Sequence, residues 1–181
     1  ITDIGENRIQ EAKQKYDDLS SLNINWHMVG HLQTNKAKDA VKMFSLIHSV
    51  DSLKIAAEID KESKKQNKVS SVLLEVNVSE EASKYGFKFG EVLPFLKESE
   101  KLNNIEILGL MTVAPIVEKE EDARPFFRKL KGLFEEIKKL SFKNVNMKYL
   151  SMGMSSDYRI AIEEGSNMVR IGTAIFGQRR P

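Results

Sequence analysis

Apolar residues along the chain repeat in two alternating rhythms. Short apolar runs occur at residues 1–4, 24–29 (INWHMV), 46–50 (LIHSV), 70–78 (SSVLLEVNV), 105–112 (IEILGLMT), 147–150 and 168–171. Between them lie amphipathic stretches with apolar residues three and four apart, the helical spacing. Ile9, Ala12, Tyr16 and Leu19 mark a helix over 8–19; Ala37, Ala40, Val41 and Phe44 mark one over 34–44. Leu53, Ala56, Ala57 and Ile59 mark a third, capped by Asp51 or Ser52 and ending near Gln66. Further helices are predicted over 91–101, 125–140 and 156–164, and a closing turn over 172–176. Strict strand–helix alternation implies a parallel sheet with crossover helices. Several runs lack a polar–apolar alternation, as strands buried on both faces do.

Two α/β architectures fit: an open doubly wound sheet, or a (β/α)8 TIM-type barrel. About seven strands are predicted, one fewer than a barrel needs, and barrels typically run to ~250 residues. Two features favour the barrel. Polar residues follow the strands, at Glu6, Asn7, His31, Ser49, Asp51, Asn77, Thr112, Ser151 and Thr173, where a barrel builds its active face. No glycine-rich turn follows an early strand, as a Rossmann unit requires.

Composition narrows the function classes. The 181 residues form one domain, 1–181, with no Pro-Gly linker or composition shift. Lys+Arg is 28 against Asp+Glu 26, a net charge of +2 that gives no argument for nucleic acid or a membrane surface. There is no cysteine, so no disulfide and no thiol nucleophile, which suits a reducing compartment. No apolar run reaches a membrane span of ~20 residues, and no signal peptide is visible. The Lys-rich stretch 61–68 reads as a solvated helix face.

The densest chemistry lies in SMGMSSDYRIAIEEGSNMVRIGTAIFG, residues 151–177. Gly153 and Gly172 permit close backbone approach, while Ser155, Ser156 and Thr173 add hydroxyls. Helix N-termini nearby offer free N–H groups. Each cluster could be a plain helix cap, but two of them after the last two strands stand where barrels bind phosphate. Arg170, in the last strand, needs an acceptor, either a ligand or a carboxylate such as Glu6. His27 and His31 are spaced H-x3-H on a strand, roughly 13 Å apart along it, so they need not share a metal and no metal site is expected. His48 reads as a satisfied core histidine pointing into the barrel or its mouth. Met111, Met152 and Met154 read as space fillers.

WHMVGHLQTNK (26–36), IHSVDS (47–52), GLMTVAP (109–115), SMGMSSDYRIAIEEG (151–165) and VRIGTAIFG (169–177), with the GEN turn at 5–7, resemble the pyridoxal phosphate homeostasis protein family from end to end. That family is similar to the barrel domain of alanine racemases. The resemblance implies a fold-type III barrel binding pyridoxal 5′-phosphate (PLP), in a cytoplasmic carrier without established catalysis, with transfer to PLP-dependent apoenzymes as an implied role. It implies that Ser151, Ser155, Gly172 and Thr173 surround the PLP phosphate and that Arg170 faces the pyridine nitrogen. Asn7 and His31 lie near the mouth, and Met111 and Met152 wall the ring. The family's Schiff-base lysine belongs to a Ser-Lys dipeptide well before the GEN turn, so the expectation is a barrel lacking its first βα unit, with that lysine upstream of Ile1. Lys36 matches a different family motif. A racemase-like PLP enzyme is the alternative function, and a phosphate-ester-binding barrel unrelated to PLP a third.

Overall fold

The computed structural model describes residues 1–178; the expected single domain 1–181 extends past them, and Arg179, Arg180 and Pro181 lie outside the described residues. Seven strands follow one another in chain order: β1 (Asp3–Glu6), β2 (Asn25–Met28), β3 (Leu46–Val50), β4 (Ser70–Glu75), β5 (Ile105–Met111), β6 (Val145–Met154) and β7 (Met168–Arg170). Each pairs in parallel with the next, so β1 and β7 are the two edges. A doubly wound sheet must reverse its strand order somewhere. This one never does; it curls into a nearly closed barrel.

The crossovers are α1 (Ile9–Tyr16), α2 (Ala37–Met43), α3 (Leu53–Lys65), α4 (Phe89–Ser99), α5 (Arg124–Lys138) and α6 (Tyr158–Glu163), with a single turn, α7 (Thr173–Phe176), after the last strand. Helix α3 begins as expected: the Ser52 hydroxyl accepts from the Ile55 N–H at 3.4 Å. The expected helix 34–44 instead opens with a 3-10 turn over Thr34–Lys36 before α2. Arg124 bridges Glu121, Glu163 and Glu164, tying α5 to α6 beneath the loop that follows β6.

Successive strand residues point to opposite faces. The outward set, including Trp26, Met28, Ile47, Val72, Leu74, Ile107 and Leu150, joins helix residues such as Ile9, Ala37, Ile59, Phe127 and Leu130 in the main core. The inward set forms a small separate cluster, Leu46, Leu73, Leu108 and Met111, flanked by Tyr149 and Met168. The rest of the interior is polar, and it forms the site described below.

Strand β6 differs most from expectation. Expected over 147–150, it spans Val145–Met154, so Ser151 to Met154 are strand, not loop. Serine and glycine there mask the strand in the sequence. Pairing with both neighbours creates it: Ser151 stands opposite Met111 of β5 and Met168 of β7, and Met154 stands opposite Arg170, with a register shift between the two β7 contacts. Gly153 allows that shift: its φ is +95°, and a Cβ would come 2.5 Å from the Ala161 Cβ.

Gly109 carries the tightest approach in the barrel wall. Its φ is +154°, and a Cβ would meet the Tyr149 carbonyl oxygen at 1.8 Å, beside the register shift between β5 and β6. Gly109→Ala therefore forces the two central strands apart. The expected loss is about 3 kcal/mol or more, read as a lower urea midpoint with little change in slope.

Candidate functional site

The C-terminal ends of β4 to β7 are latched together by polar groups around Arg170. From the end of β7, Arg170 Nη1 donates to Ser151 Oγ on β6 at 2.6 Å, and Nη2 donates to the Thr112 carbonyl just past β5 at 2.6 Å. The Thr112 hydroxyl in turn donates to the Val76 carbonyl just past β4 at 2.6 Å. The guanidinium forms no pair with Glu6, which receives Lys15 instead. Burial pushes Arg170 down to about 10, while the charges of Glu75 and Asp157 work against that fall. It is therefore a permanent cation at neutral pH, and it can only donate.

Below Arg170 a chain of side chains crosses the barrel. Ser151 Oγ meets His48 Nδ1 at 3.1 Å, and His48 Nε2 meets His27 Nδ1 at 3.1 Å. His27 Nε2 then faces Asp3 Oδ1 at 3.4 Å. Burial, then the charges of Arg170 and His27, hold His48 well below the usual imidazole range. Burial also lowers His27, against the pull of Asp3. Hydrogen bonds from Thr2 and Asn25 keep Asp3 low and ionised.

At the rim, His31 Nδ1 lies 3.1 Å from Asp51 Oδ2, and its ring stacks on Tyr85 with centroids 3.7 Å apart. The stack joins the loop after β2 to the loop after β4. Glu75, the last residue of β4, sits beneath this rim. Burial and the Asp51 charge push its carboxyl up to about 7, and Arg170 pulls the other way.

On the other side, Ser155 Oγ accepts from the backbone N–H groups of Gly172 and Ala174 at 3.3 and 3.2 Å. Thr173 is exposed beside them, and nothing lies within 4 Å of where a Gly172 Cβ would stand. The structure thus groups Ser155, Gly172 and Thr173. It separates Ser151 from them: that hydroxyl is fully buried and engaged by Arg170 and His48. Met152 corrects the sequence expectation that it walls the ring. One residue beyond Ser151 on a continuous strand, it faces outward into the helix-packed core. Met111, paired with Ser151, does line the interior. Asn7 lies exposed at the end of β1, its backbone so close to Gly30 that a Cβ there would come 2.3 Å from the Asn7 oxygen. His27 and His31 point to different partners, Asp3 and Asp51.

The alanine racemase N-terminal domain model matches residues 1–180. The pyridoxal phosphate homeostasis protein of Aquifex aeolicus is 46% identical over 176 residues, covering 97% of this chain and 76% of that protein. The chain belongs to the pyridoxal phosphate homeostasis protein family. Its Synechocystis member is 41% identical, covering 99% of this chain and 82% of its own length. Among solved structures, PipY of Synechococcus elongatus without PLP superposes with a TM-score of 0.89 at 34% identity, covering 96% of this chain and 80% of that one. PipY with PLP bound gives a TM-score of 0.86 at 33% identity. Clostridium difficile alanine racemase, at 17% identity and a TM-score of 0.74, shares the fold.

In this family member, Glu75 is a site-facing titratable group that the motifs do not mark, although a carboxylate inside the apolar run SSVLLEVNV is its signal in the sequence. A Glu raised from 4.5 to about 7 stabilises the fold below 4.5 and loses that contribution as pH rises through 7. Glu75→Gln should therefore raise the melting temperature at pH 8, by the equivalent of up to about 3 kcal/mol, and leave it unchanged near pH 4. An equal gain at both pH values would assign the effect to packing.

Proposed function

We propose that residues 1–181 act as one cofactor-binding barrel that holds PLP and serves PLP homeostasis. The observation that carries this is Arg170, a half-buried cation locked by Ser151 and Thr112 at the end of β7, just before the converging N–H groups of Gly172 and Ala174. Converging backbone N–H groups and free hydroxyls are the donor set a phosphate takes. A fixed donor beside them suits a ring nitrogen. On this reading Ser155, Gly172 and Thr173 receive the phosphate, and Arg170 meets the ring. Ser151 holds Arg170 and does not touch the phosphate. Met111 floors the interior, with Asn7 and His31 at the rim.

When bound, PLP supplies an aldehyde that captures amines and a ring that can withdraw electrons. Arg170 decides how far the second property is used. Because it can only donate, the ring nitrogen must accept and stays unprotonated, a weaker electron sink than a pyridinium. That favours keeping the cofactor over turning substrates over, and it supports a carrier role with delivery to apoenzymes in the cytoplasm. Among the described residues no helix is long and apolar enough to cross a membrane.

Equilibrium dialysis tests the reading. The protein should take up PLP, inorganic phosphate should compete, and Arg170→Ala should weaken uptake about tenfold, the loss expected for a charged hydrogen bond. Wild-type uptake no better than that of Arg170→Ala would overturn it. PLP-dependent exchange of an amino acid's α-hydrogen in deuterated water would instead support the racemase-like alternative.

A further inference from the structure

The polar chain inside the barrel has two ends of fixed character. Arg170 can only donate, and the ionised Asp3 carboxylate can only accept. Between them stand one hydroxyl and two imidazoles, linked at 3.1 Å and 3.1 Å. One arrangement satisfies every link. Arg170 donates to Ser151 Oγ, and Ser151 donates to His48 Nδ1. His48 Nε2–H donates to His27 Nδ1, and His27 Nε2–H faces Asp3. Both imidazoles are then neutral and carry the proton on Nε2. The reverse arrangement leaves a bare His27 Nε2 against a carboxylate and the buried Ser151 proton without an acceptor, which costs free energy in an enclosed site.

We propose that His27, His48 and Ser151 form a one-way positioning relay that holds the Arg170 guanidinium in place for the ligand, and that works only while both imidazoles are neutral. This rests on the reading of Arg170 as the ring contact. Arg170 reaches Ser151 and Thr112, but Thr112 offers only a carbonyl, already fixed by the sheet. The hydroxyl of Ser151 must rotate to accept from Arg170, and His48 is what turns it.

Protonating the pair reverses the relay. A proton on His27 Nδ1 meets the His48 Nε2–H, so His48 must move its own proton to Nδ1, where Ser151 no longer has an acceptor to turn toward. The groups that face the relay are Asp3 on β1, Glu75 on β4, Asp51 after β3, and Arg170 with Asp157 at the β6–β7 end. Both imidazoles sit below 6.5, so the relay is intact above that pH and is lost as pH falls. The two rings titrate as one coupled unit. Glu75 titrates nearer neutrality, so the measurement belongs in the Glu75→Gln background.

The test has a ligand-free arm and a ligand arm. Imidazole nitrogen NMR of the Glu75→Gln protein should show His27 and His48 as neutral Nε2–H tautomers at pH 7. The Arg170 side-chain N–H signals should be sharp there, and should broaden in Ser151→Ala and as the pair protonates in acid. In dialysis, Ser151→Ala and His48→Leu should each weaken PLP uptake about tenfold, with no further loss in the double variant because they break the same chain. Nδ1–H tautomers, a protonated His48 at pH 7, or folded variants that keep wild-type uptake and sharp Arg170 signals would overturn the relay. If the wild type takes up no PLP, the cofactor reading fails, and the NMR arm still decides the relay by itself.

Discussion

A guanidinium inside a barrel constrains everything around it. It keeps its proton at neutral pH, and partial burial removes much of the water that would solvate it, so the surrounding strands must supply acceptors. Here they come from β6, the neighbour of β7, through the Ser151 hydroxyl, and from the next strand over, through the Thr112 carbonyl past β5. Those contacts require β5, β6 and β7 to end at matching heights. The register shifts at Gly109 and near Gly153 set those heights. Two backbone positions open only to glycine therefore stand behind one charge.

The division of the strands into two faces explains how a stable wall can hold a polar interior. Outward residues fill the layer against the helices and carry the burial that holds the fold. The interior contributes only a small apolar cluster and is free to hold His27, His48, Glu75, Ser151 and Arg170, with exposed Asp3 at the end of the line. These groups form linked contacts and opposed charges across six strands. Their electrostatics are collective: Glu75 helps keep Arg170 charged, Arg170 helps keep His48 neutral, and Asp51 pushes Glu75 up.

Much of this was legible in the chain. Spacing of three and four separated helices from apolar runs, and strand-end polar residues pointed to a barrel because a barrel gathers such residues on one face. The grouping of Ser155, Gly172 and Thr173 was readable from two small-residue clusters flanking a short helix. The surroundings of Ser151 and Met152 were not legible in the chain for one reason. The SMGM stretch has the composition of a loop, and only its pairing with β5 and β7 makes it strand. Once it is strand, the two-residue period sends Ser151 inward and Met152 outward.

The sequence alone determined the order of elements, the parallel sheet, the family and the identity of the cation, because periodicity and motif are local properties of the chain. The tertiary structure decided which inward residues meet. His27, His48, Ser151 and Arg170 come from four strands and are as much as 143 positions apart, counting from His27 to Arg170. No spacing in the chain encodes such a line. It exists because barrel closure rotates each strand relative to the next and brings distant inner faces within hydrogen-bonding distance.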